Sequence, residues 1–284
     1  MPIDHQSLIT AEVTDVPFSY TEQDVILYAL GTGCGSDPTD PAQLAYVSEH
    51  AGLRVLPTFA GMFVPDNIVV DAGIDLTNML HRSEVLQLFR PLPAAADLLA
   101  NQRVIALSDR GERRGADFEL ETELRLAKDD TVVCMIRTRI IARNDGGFGG
   151  RTAAARERHR IPDREPDLVC DLPTRPDQAL LFRLSGDFNP LHADPATARQ
   201  AGFERPILHG RCTFGIACHA VLKTVCDYDF TLIREIAGRF SSPVYPGDVI
   251  TTEMWQEGNV VSFRCRVLSR DVTVINNGRC TLQA

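Results

Sequence analysis

A short stretch of the chain brings an acid, an amide and an imidazole close together. Residues 182–192 read Phe-Arg-Leu-Ser-Gly-Asp-Phe-Asn-Pro-Leu-His, so Asp187, Asn189 and His192 fall within six positions. A carboxylate and an imidazole that face one water molecule can deprotonate it and can protonate a neighbouring carbon. These residue types therefore indicate general acid–base chemistry on a water molecule.

Two other interpretations fit the same residues. Asp, Asn and Pro are turn formers, so this segment could be only an Asx-type turn. A metal site could instead use His192, Asp194 and His209, although their spacing matches no zinc pattern. We predict neither a metal nor a cofactor.

The loop is flanked by two predicted helices. Asp194-Pro195 has the N-cap and first-turn residues of a helix that ends near Gly202. Gly210–Cys226 is apolar nearly all round, as expected for a helix enclosed by a sheet. The acid, amide and imidazole therefore lie on a loop between packed elements, where catalytic groups usually occur.

The elements around this loop belong to the second copy of a faint internal repeat. The helix pattern of residues 20–31 recurs at residues 174–186, and Thr58-Phe59 matches Thr213-Phe214. Each half ends in three runs of strand character, at 103–108, 117–126 and 131–142 and at 249–255, 260–268 and 272–283. In each half a helix therefore precedes a set of antiparallel strands. This order predicts an α+β fold in which each sheet buries a helix.

The repeat divides the chain into residues 1–143, a Gly- and Pro-rich crossover linker at 144–175, and residues 176–284. In the first half, the counterpart of the enclosed helix meets Pro65 after about two turns, so we expect it to be cut short. The first-half positions that align with the acid, amide and imidazole are Gly33, Gly35 and Pro38. The first half should therefore be non-catalytic.

Composition excludes several classes of protein. The net charge of −9 argues against a nucleic-acid partner. One arginine-rich stretch could meet an anion, although a solvated linker is the simpler interpretation; it contains Arg151, Arg156, Arg158, Arg160 and Arg164. No apolar run approaches the ~20 residues of a membrane span, and we expect no signal peptide. The eight cysteines form no C-x-x-C pair, so we predict reduced thiols and a cytoplasmic protein.

The motif around the loop resembles the MaoC-like, hydratase 2 type enoyl-CoA hydratases. Leu184–His192, Ala201–Phe203 and Pro206–Gly210 resemble the family signature. Other landmarks follow in the expected order: Tyr28–Gly33, Leu56–Phe59, Gly146–Gly150 and Phe240–Asp248. The segment Leu80-His-Arg-Ser-Glu84 departs from the His-Gly-Glu-Gln of many eukaryotic members, which leaves the choice between fatty-acyl and sterol side-chain substrates open.

The resemblance implies a double hot-dog fold, in which each half wraps an antiparallel sheet around a helix. It implies (3R)-specific hydration of trans-2-enoyl-CoA in β-oxidation, by a homodimer that binds no membrane. Asp187 and His192 would be catalytic, Asn189 would orient them, and the backbone N–H of Gly210 would form the oxyanion hole.

We further expect four residues to bind the substrate: Arg211, and Phe59, Met62 and Phe63 along an acyl tunnel in the first half. Two other functions are compatible with a hot-dog fold. One is an acyl-CoA thioesterase, which would not need the Asp-x-Asn-x-x-His loop. The other is a non-catalytic acyl-CoA-binding subunit, which is disfavoured because both Asp187 and His192 are present.

Overall fold

The chain forms one antiparallel sheet of ten strands. A computed structural model describes residues 5–74, 79–150 and 158–283. The strands are β1 Glu12–Tyr20, β2 Met79–Leu88, β3 Ala96–Asp109, β4 Ala116–Leu126, β5 Val132–Ala142, β6 Leu168–Pro173, β7 Ile233–Phe240, β8 Val249–Glu257, β9 Val260–Val267 and β10 Val272–Leu282. Four of them were not predicted, namely β1, β2, β6 and β7. The prediction of three closing strands in each half is confirmed, with β3 beginning several residues earlier than expected.

The order of the strands shows the internal repeat directly. It runs β1-β3-β4-β5-β2 in the first half and, read inward from the other edge, β6-β8-β9-β10-β7 in the second. The two halves meet where β2 pairs with β7, with Val85 opposite Ala237. The α+β prediction is confirmed, and the two predicted sheets are joined edge to edge by backbone hydrogen bonds. β6 lies inside the predicted linker and pairs with β8.

Seven α-helices are found in the described part of the chain: α1 His5–Ile9, α2 Glu22–Gly31, α3 Pro41–Val47, α4 Asn67–Asp71, α5 Gln178–Phe182, α6 Pro195–Gln200 and α7 Gly210–Thr224. The two repeated helices, α2 and α5, contact each other through Tyr28 and Phe182, whose ring centroids lie 5.6 Å apart. The predicted start of α2 is confirmed, because the backbone N–H of Thr21 donates to the Asp24 carboxylate at 2.8 Å. No helix among the described residues is long and apolar enough to cross a bilayer.

Helix α7 is the core of the second half. Its residues from Cys212 to Leu222 are all buried, because the sheet covers one side of the helix, and α2 and the segment Pro57–Met62 of the first half cover the other. All eight cysteines are free and buried, as the absence of C-x-x-C pairs predicted. Thr213 and Thr224 place their hydroxyls against carbonyls of the preceding turn, which satisfies these polar groups within the helix.

The first half has no equivalent of α7. Its counterpart, Pro57–Met62, is a 3₁₀ segment that ends before Pro65, so the predicted interruption is confirmed although the conformation is tighter than the α-helix expected. The remaining space inside this half of the sheet is covered by α4. The residues Ile68 and Val69 of this helix pack with Phe118 and Ile140 in a second, smaller hydrophobic cluster.

Candidate active site

The loop from Gly186 to His192 is held in place by its own turns. The amide of Asn189 donates to the Asp187 carboxylate at 3.2 Å, and the Asn189 side chain accepts from Leu191 N at 3.0 Å. Pro190 then begins a single 3₁₀ turn that ends at His192. The Asx-type turn considered from sequence does form, and it presents Asp187 and His192 on the same side of the loop.

His192 has one ring nitrogen fixed and one available. Its Nδ1 lies 2.8 Å from the carbonyl oxygen of Ile207. A carbonyl can only accept, so Nδ1 carries the hydrogen and Nε2 is the unprotonated atom of the neutral ring. Burial lowers the pKa of His192, and the Asp187 carboxylate offsets only part of this effect. At neutral pH the ring is therefore poised to accept a proton.

Asp187 and His192 are close without touching. One carboxylate oxygen of Asp187, one ring nitrogen of His192 and one of His209 all lie within 4.8 Å of one another. A gap of this size fits a single water molecule that donates to or accepts from both catalytic groups, since each hydrogen bond spans about 2.8 Å. This is the arrangement that acid–base chemistry on water requires.

His209 is a further residue of the site, which sequence analysis considered only as a metal ligand. It is fully buried, and its ring stacks on that of His192 with centroids 3.8 Å apart. Its Nε2 donates to the carbonyl oxygen of Asp187 at 3.1 Å. Burial, and next the proximity of His192, lowers the pKa of His209 to about 3. His209 therefore stays neutral and contacts both catalytic residues; its place in the Pro206–Gly210 motif was the available signal.

A metal ion fits this cluster poorly. Two stacked rings at 30° to each other direct their in-plane lone pairs side by side, whereas tetrahedral ligation needs them to converge on one point. Asp194, the third ligand considered from sequence, accepts from the amides of Ala196 and Thr197 at the start of α6. The absence of a metal from the reaction stays a prediction.

Gly210 begins α7, and its backbone borders the same cleft. The first N–H groups of an α-helix have no partner within the helix and lie at the positive end of its dipole. They can therefore donate to an oxygen that becomes negatively charged. A Cβ added at Gly210 would lie 3.5 Å from the Phe240 ring, which is ordinary contact, so glycine is not needed there for packing.

The cleft has a volume of about 360 Å³ and lies between the two halves. It is lined by Met79, Leu80, His81, Thr138, Ile140, Arg143, Asp187, Asn189, Leu191, His192, Phe203, Ile207, Leu208, Gly210, Arg211, Thr213, Phe240, Ser241, Ser242, Pro243, Val244 and Val274. All four predicted catalytic residues and Arg211 are among them. Both halves of the chain therefore build one site.

Arg211 reaches from the start of α7 to the first half. Its Nε lies 3.4 Å from Oε1 of Glu84, a fully buried residue of β2. The other oxygen of Glu84 lies 3.3 Å from Nε2 of His81. Burial raises the pKa of Glu84, and the guanidinium of Arg211 counteracts part of this rise. Arg211 thus lies on the cleft wall, as predicted for a substrate-binding residue, and is held by the first half.

Comparison with known proteins decides the family. The MaoC like domain matches residues 157–278, and the MFE-2 hydratase 2 N-terminal domain matches residues 18–144. The peroxisomal enoyl-CoA hydratase 2 of Arabidopsis thaliana is 39% identical over 94% of this chain and 92% of its own. The chain belongs to the MaoC-like, hydratase 2 family.

Two further members of this family resemble the chain over nearly its whole length. The enoyl-CoA hydratase ChsH3 of Mycobacterium tuberculosis is 37% identical over 98% of both chains. The crystal structure of a MaoC-like dehydratase from Phytophthora capsici superimposes with a TM-score of 0.84, at 29% identity over 99% of both chains. The double hot-dog fold implied by the sequence is therefore confirmed.

Three of the four predicted substrate-binding residues lie outside the cleft. Phe59, Met62 and Phe63 are absent from the cleft lining. Phe59 and Phe63 are buried in an aromatic cluster, with ring centroids 4.9 Å apart, and Met62 packs at its edge. The 3₁₀ segment turns these side chains into the core toward Tyr20, so the structure does not bring them to Asp187 and His192.

Proposed function

We propose that this chain hydrates trans-2-enoyl-CoA thioesters to (3R)-3-hydroxyacyl-CoA. The observation that carries the proposal is the pairing of Asp187 and His192 across a gap of one water molecule, beside the first turn of α7. The names of the Arabidopsis and Mycobacterium relatives, both enoyl-CoA hydratases, support the same reaction.

In the proposed mechanism, a water molecule lies between the Asp187 carboxylate and Nε2 of His192. One of these groups removes a proton as the water oxygen attacks C3 of the substrate, and a proton is delivered to C2. Negative charge develops meanwhile on the thioester oxygen, which accepts a hydrogen bond from Gly210 N–H. The carbon–carbon double bond is thus replaced by a C3–O and a C2–H bond, with no change of oxidation state overall.

Asn189 has a positioning role in this mechanism. Its side chain fixes the turn before His192, and its backbone amide donates to the Asp187 carboxylate. Arg211 contributes positive charge to the cleft wall that faces the thioester. Fatty-acyl and sterol side-chain thioesters both remain substrates of the proposed reaction.

The activity is tested with crotonyl-CoA and longer enoyl-CoAs by the loss of the ultraviolet absorbance of the enoyl thioester. A thiol reagent in the same assay detects free CoA, which a thioesterase would release and a hydratase would not. Coupling the product to an R-specific hydroxyacyl-CoA dehydrogenase should give NADH, and coupling to an S-specific enzyme should give none. NADH from the S-specific enzyme would contradict the stereochemical proposal, and no loss of absorbance would leave only a binding role.

We also propose that the protein is a homodimer in the cytoplasm. Leu180, Leu184 and Phe188, in and just before the catalytic loop, are each about half exposed, and a second copy would cover such apolar side chains. Eight free cysteines are compatible with a reducing compartment. Light scattering tests the first proposal, which a monomeric mass would contradict, and cell fractionation tests the second.

A further inference from the structure

The cleft has one end open to solvent and one end closed. Arg143 and Ser241 line it and are exposed, whereas Thr138 and Ile140, on the inner face of β5, are 4% and 5% exposed. The nucleotide of a CoA thioester is large and strongly charged, so it must extend toward solvent. Second-half residues such as Leu208 and Val274 also line the buried part of the cleft, which we call its closed end, and Thr138 and Ile140 are its wall on the first half. The closed end is the part of the cleft that can receive the acyl group.

This closed end is not purely apolar. The hydroxyl oxygen of Thr138 is buried and has no hydrogen-bond partner. Glu84 lies opposite Thr138 in the pairing of β2 with β5, and its Oε2 is also buried without a hydrogen bond. His81 adds a third such atom, its Nε2, which lies 3.3 Å from Glu84 with poor hydrogen-bond geometry. Thr138 and His81 both line the cleft.

Unpartnered polar atoms in a buried place are costly. Leaving a buried donor or acceptor unsatisfied costs about 1–3 kcal/mol, and native proteins rarely tolerate several together. An alkyl chain that fills the closed end would exclude water from these atoms and leave them unpaired. An acyl group that carries an oxygen at this depth would instead form hydrogen bonds with them.

We propose that the closed end is a subsite for an oxygen substituent on the acyl group, and this proposal rests on the proposed function. The substituent is a hydroxyl or a ketone remote from the reacting double bond. The Thr138 hydroxyl can donate to either oxygen and can accept from a hydroxyl. His81, backed by Glu84, provides a second polar group on the same wall. The preferred substrates are then enoyl-CoAs whose acyl group is oxygenated, rather than plain fatty-acyl chains.

The test compares trans-2-enoyl-CoAs of equal chain length that differ only in one oxygen. A series moves a hydroxyl, and in parallel a ketone, along the chain from C6 outward, with the unsubstituted chain as reference. The measured quantity is the ratio of kcat/KM for the oxygenated substrate to that of the reference. We expect this ratio to reach about tenfold at one position, the value of one buried hydrogen bond.

Thr138→Val removes the hydroxyl at nearly constant volume and should bring the ratio back to about one, whereas Thr138→Ser should retain it. Thr122→Val is the matched control, because Thr122 lies on the same inner face on the adjacent strand, accepts from Gln102 at 3.0 Å and does not line the cleft. The ratio in this control should equal that of the parent. A ratio is insensitive to a general loss of active protein, and melting temperatures verify folding.

Two results would overturn this subsite. One is a preference for the unsubstituted chain at every position, and the other is an unchanged ratio in Thr138→Val. Hydration of crotonyl-CoA, which is too short to reach the closed end, reports on the proposed function alone. Hydration of crotonyl-CoA together with a preference for unsubstituted long chains would support the proposed function and contradict the oxygen subsite.

Discussion

The two halves of the molecule share one strand order but fill their concave faces differently. The second half encloses α7, a helix of 15 residues, whereas the first encloses a 3₁₀ segment of six residues and the separate helix α4. Only the second half therefore presents the start of a long helix to the cleft, with free N–H groups for a developing negative charge. The first half gives up that feature and contributes wall residues of the cleft instead.

The loops that follow α2 and α5 differ in the same way. Where the second half has Asp187 and His192, the first has Gly33 and Pro38. Gly33 has a φ of +86°, so a side chain there would be strained. Chemistry and shape are thus divided between the copies: one supplies the reacting groups, and the other supplies walls such as Thr138 and Ile140.

The largest effect should come from the catalytic residues themselves. Asp187→Asn and His192→Gln should each lower kcat by at least about 10²-fold, with little change in KM, because each removes a proton-transfer group. Asp37→Asn is the matched control in the loop of the first half, where Asp37 accepts from Thr39. It should leave kcat unchanged. Full activity in either catalytic variant would end the assignment of roles to the two halves.

Acid should destabilise the second half through its buried histidines. Burial lowers the pKa of His209, the residue before α7, to about 3 and that of His219, within α7, to about 4. The unfolded chain binds these protons near pH 6.5 and the folded chain does not, so the free energy of unfolding falls as the pH drops below 6.5. At pH 4.5 the loss should be roughly 2 kcal/mol for each histidine.

Chemical unfolding at pH 7.5 and 4.5 measures this loss, and the His219→Gln variant should show a smaller one. In the first half, burial likewise lowers the pKa of His81, to about 3, but it raises the pKa of Glu84. The cost of burying the ionised Glu84 carboxylate is relieved as the pH falls, so in this half the two effects oppose each other. Hydrogen exchange at pH 4.5 should therefore show α7 opening before the first half. Earlier opening of the first half would contradict the comparison.

Filling the first half should cost stability. A Cβ at Gly61 would lie 3.0 Å from Oε1 of Glu84, whereas the aligned position in the second half is the buried Ile216. Gly61→Phe should lower the free energy of unfolding by about 1–3 kcal/mol through overpacking, and Gly61→Ala by less. Because the aromatic cluster is already packed, activity should fall equally for short and long substrates. A KM that rises for long substrates and not for short ones would instead support the predicted acyl tunnel.

The smallest effect should come from His209, a positioning residue. His209→Phe keeps a ring against His192 but loses the hydrogen bond to Asp187, so kcat should fall about tenfold, the value of one such bond. His219→Phe makes the same substitution within α7, where the ring contacts Thr32 and Tyr228 instead. The control should lower the melting temperature and spare kcat. Equal losses of kcat in both variants would indicate that His209 contributes only packing.

The sequence predicted the catalytic loop and α7 because both depend on local signals. Asn189 and Pro190 define a turn, and the run Gly210–Cys226, apolar nearly all round, indicates an enclosed helix. It did not predict β1, β2, β6 and β7, and β2 and β6 show why. β2 carries His81 and Glu84, buried polar residues that lie beside each other and beside Arg211 of α7. β6 is short and lies among prolines.

The placement of Phe59, Met62 and Phe63 depended on geometry that no spacing encodes. A break at Pro65 indicates that the helix ends, but not which way its side chains turn. In the 3₁₀ conformation residues three apart are eclipsed, so Phe59 and Met62 share a face that the sequence could not orient. The role of His209 was hidden for the same reason, since stacking on His192 is a tertiary contact.

The pairing of β2 with β7 has one more consequence. In a symmetric dimer of identical chains, every substitution appears twice, so neither copy can specialise without the other. In this protein the two copies meet edge to edge through β2 and β7, which belong to a single polypeptide. Each side of the seam can then change alone, and Glu84 on one strand lies opposite Gly238 on the other. Covalent linkage thereby releases one copy from preserving catalysis and leaves it free to diversify the range of molecules that are accepted.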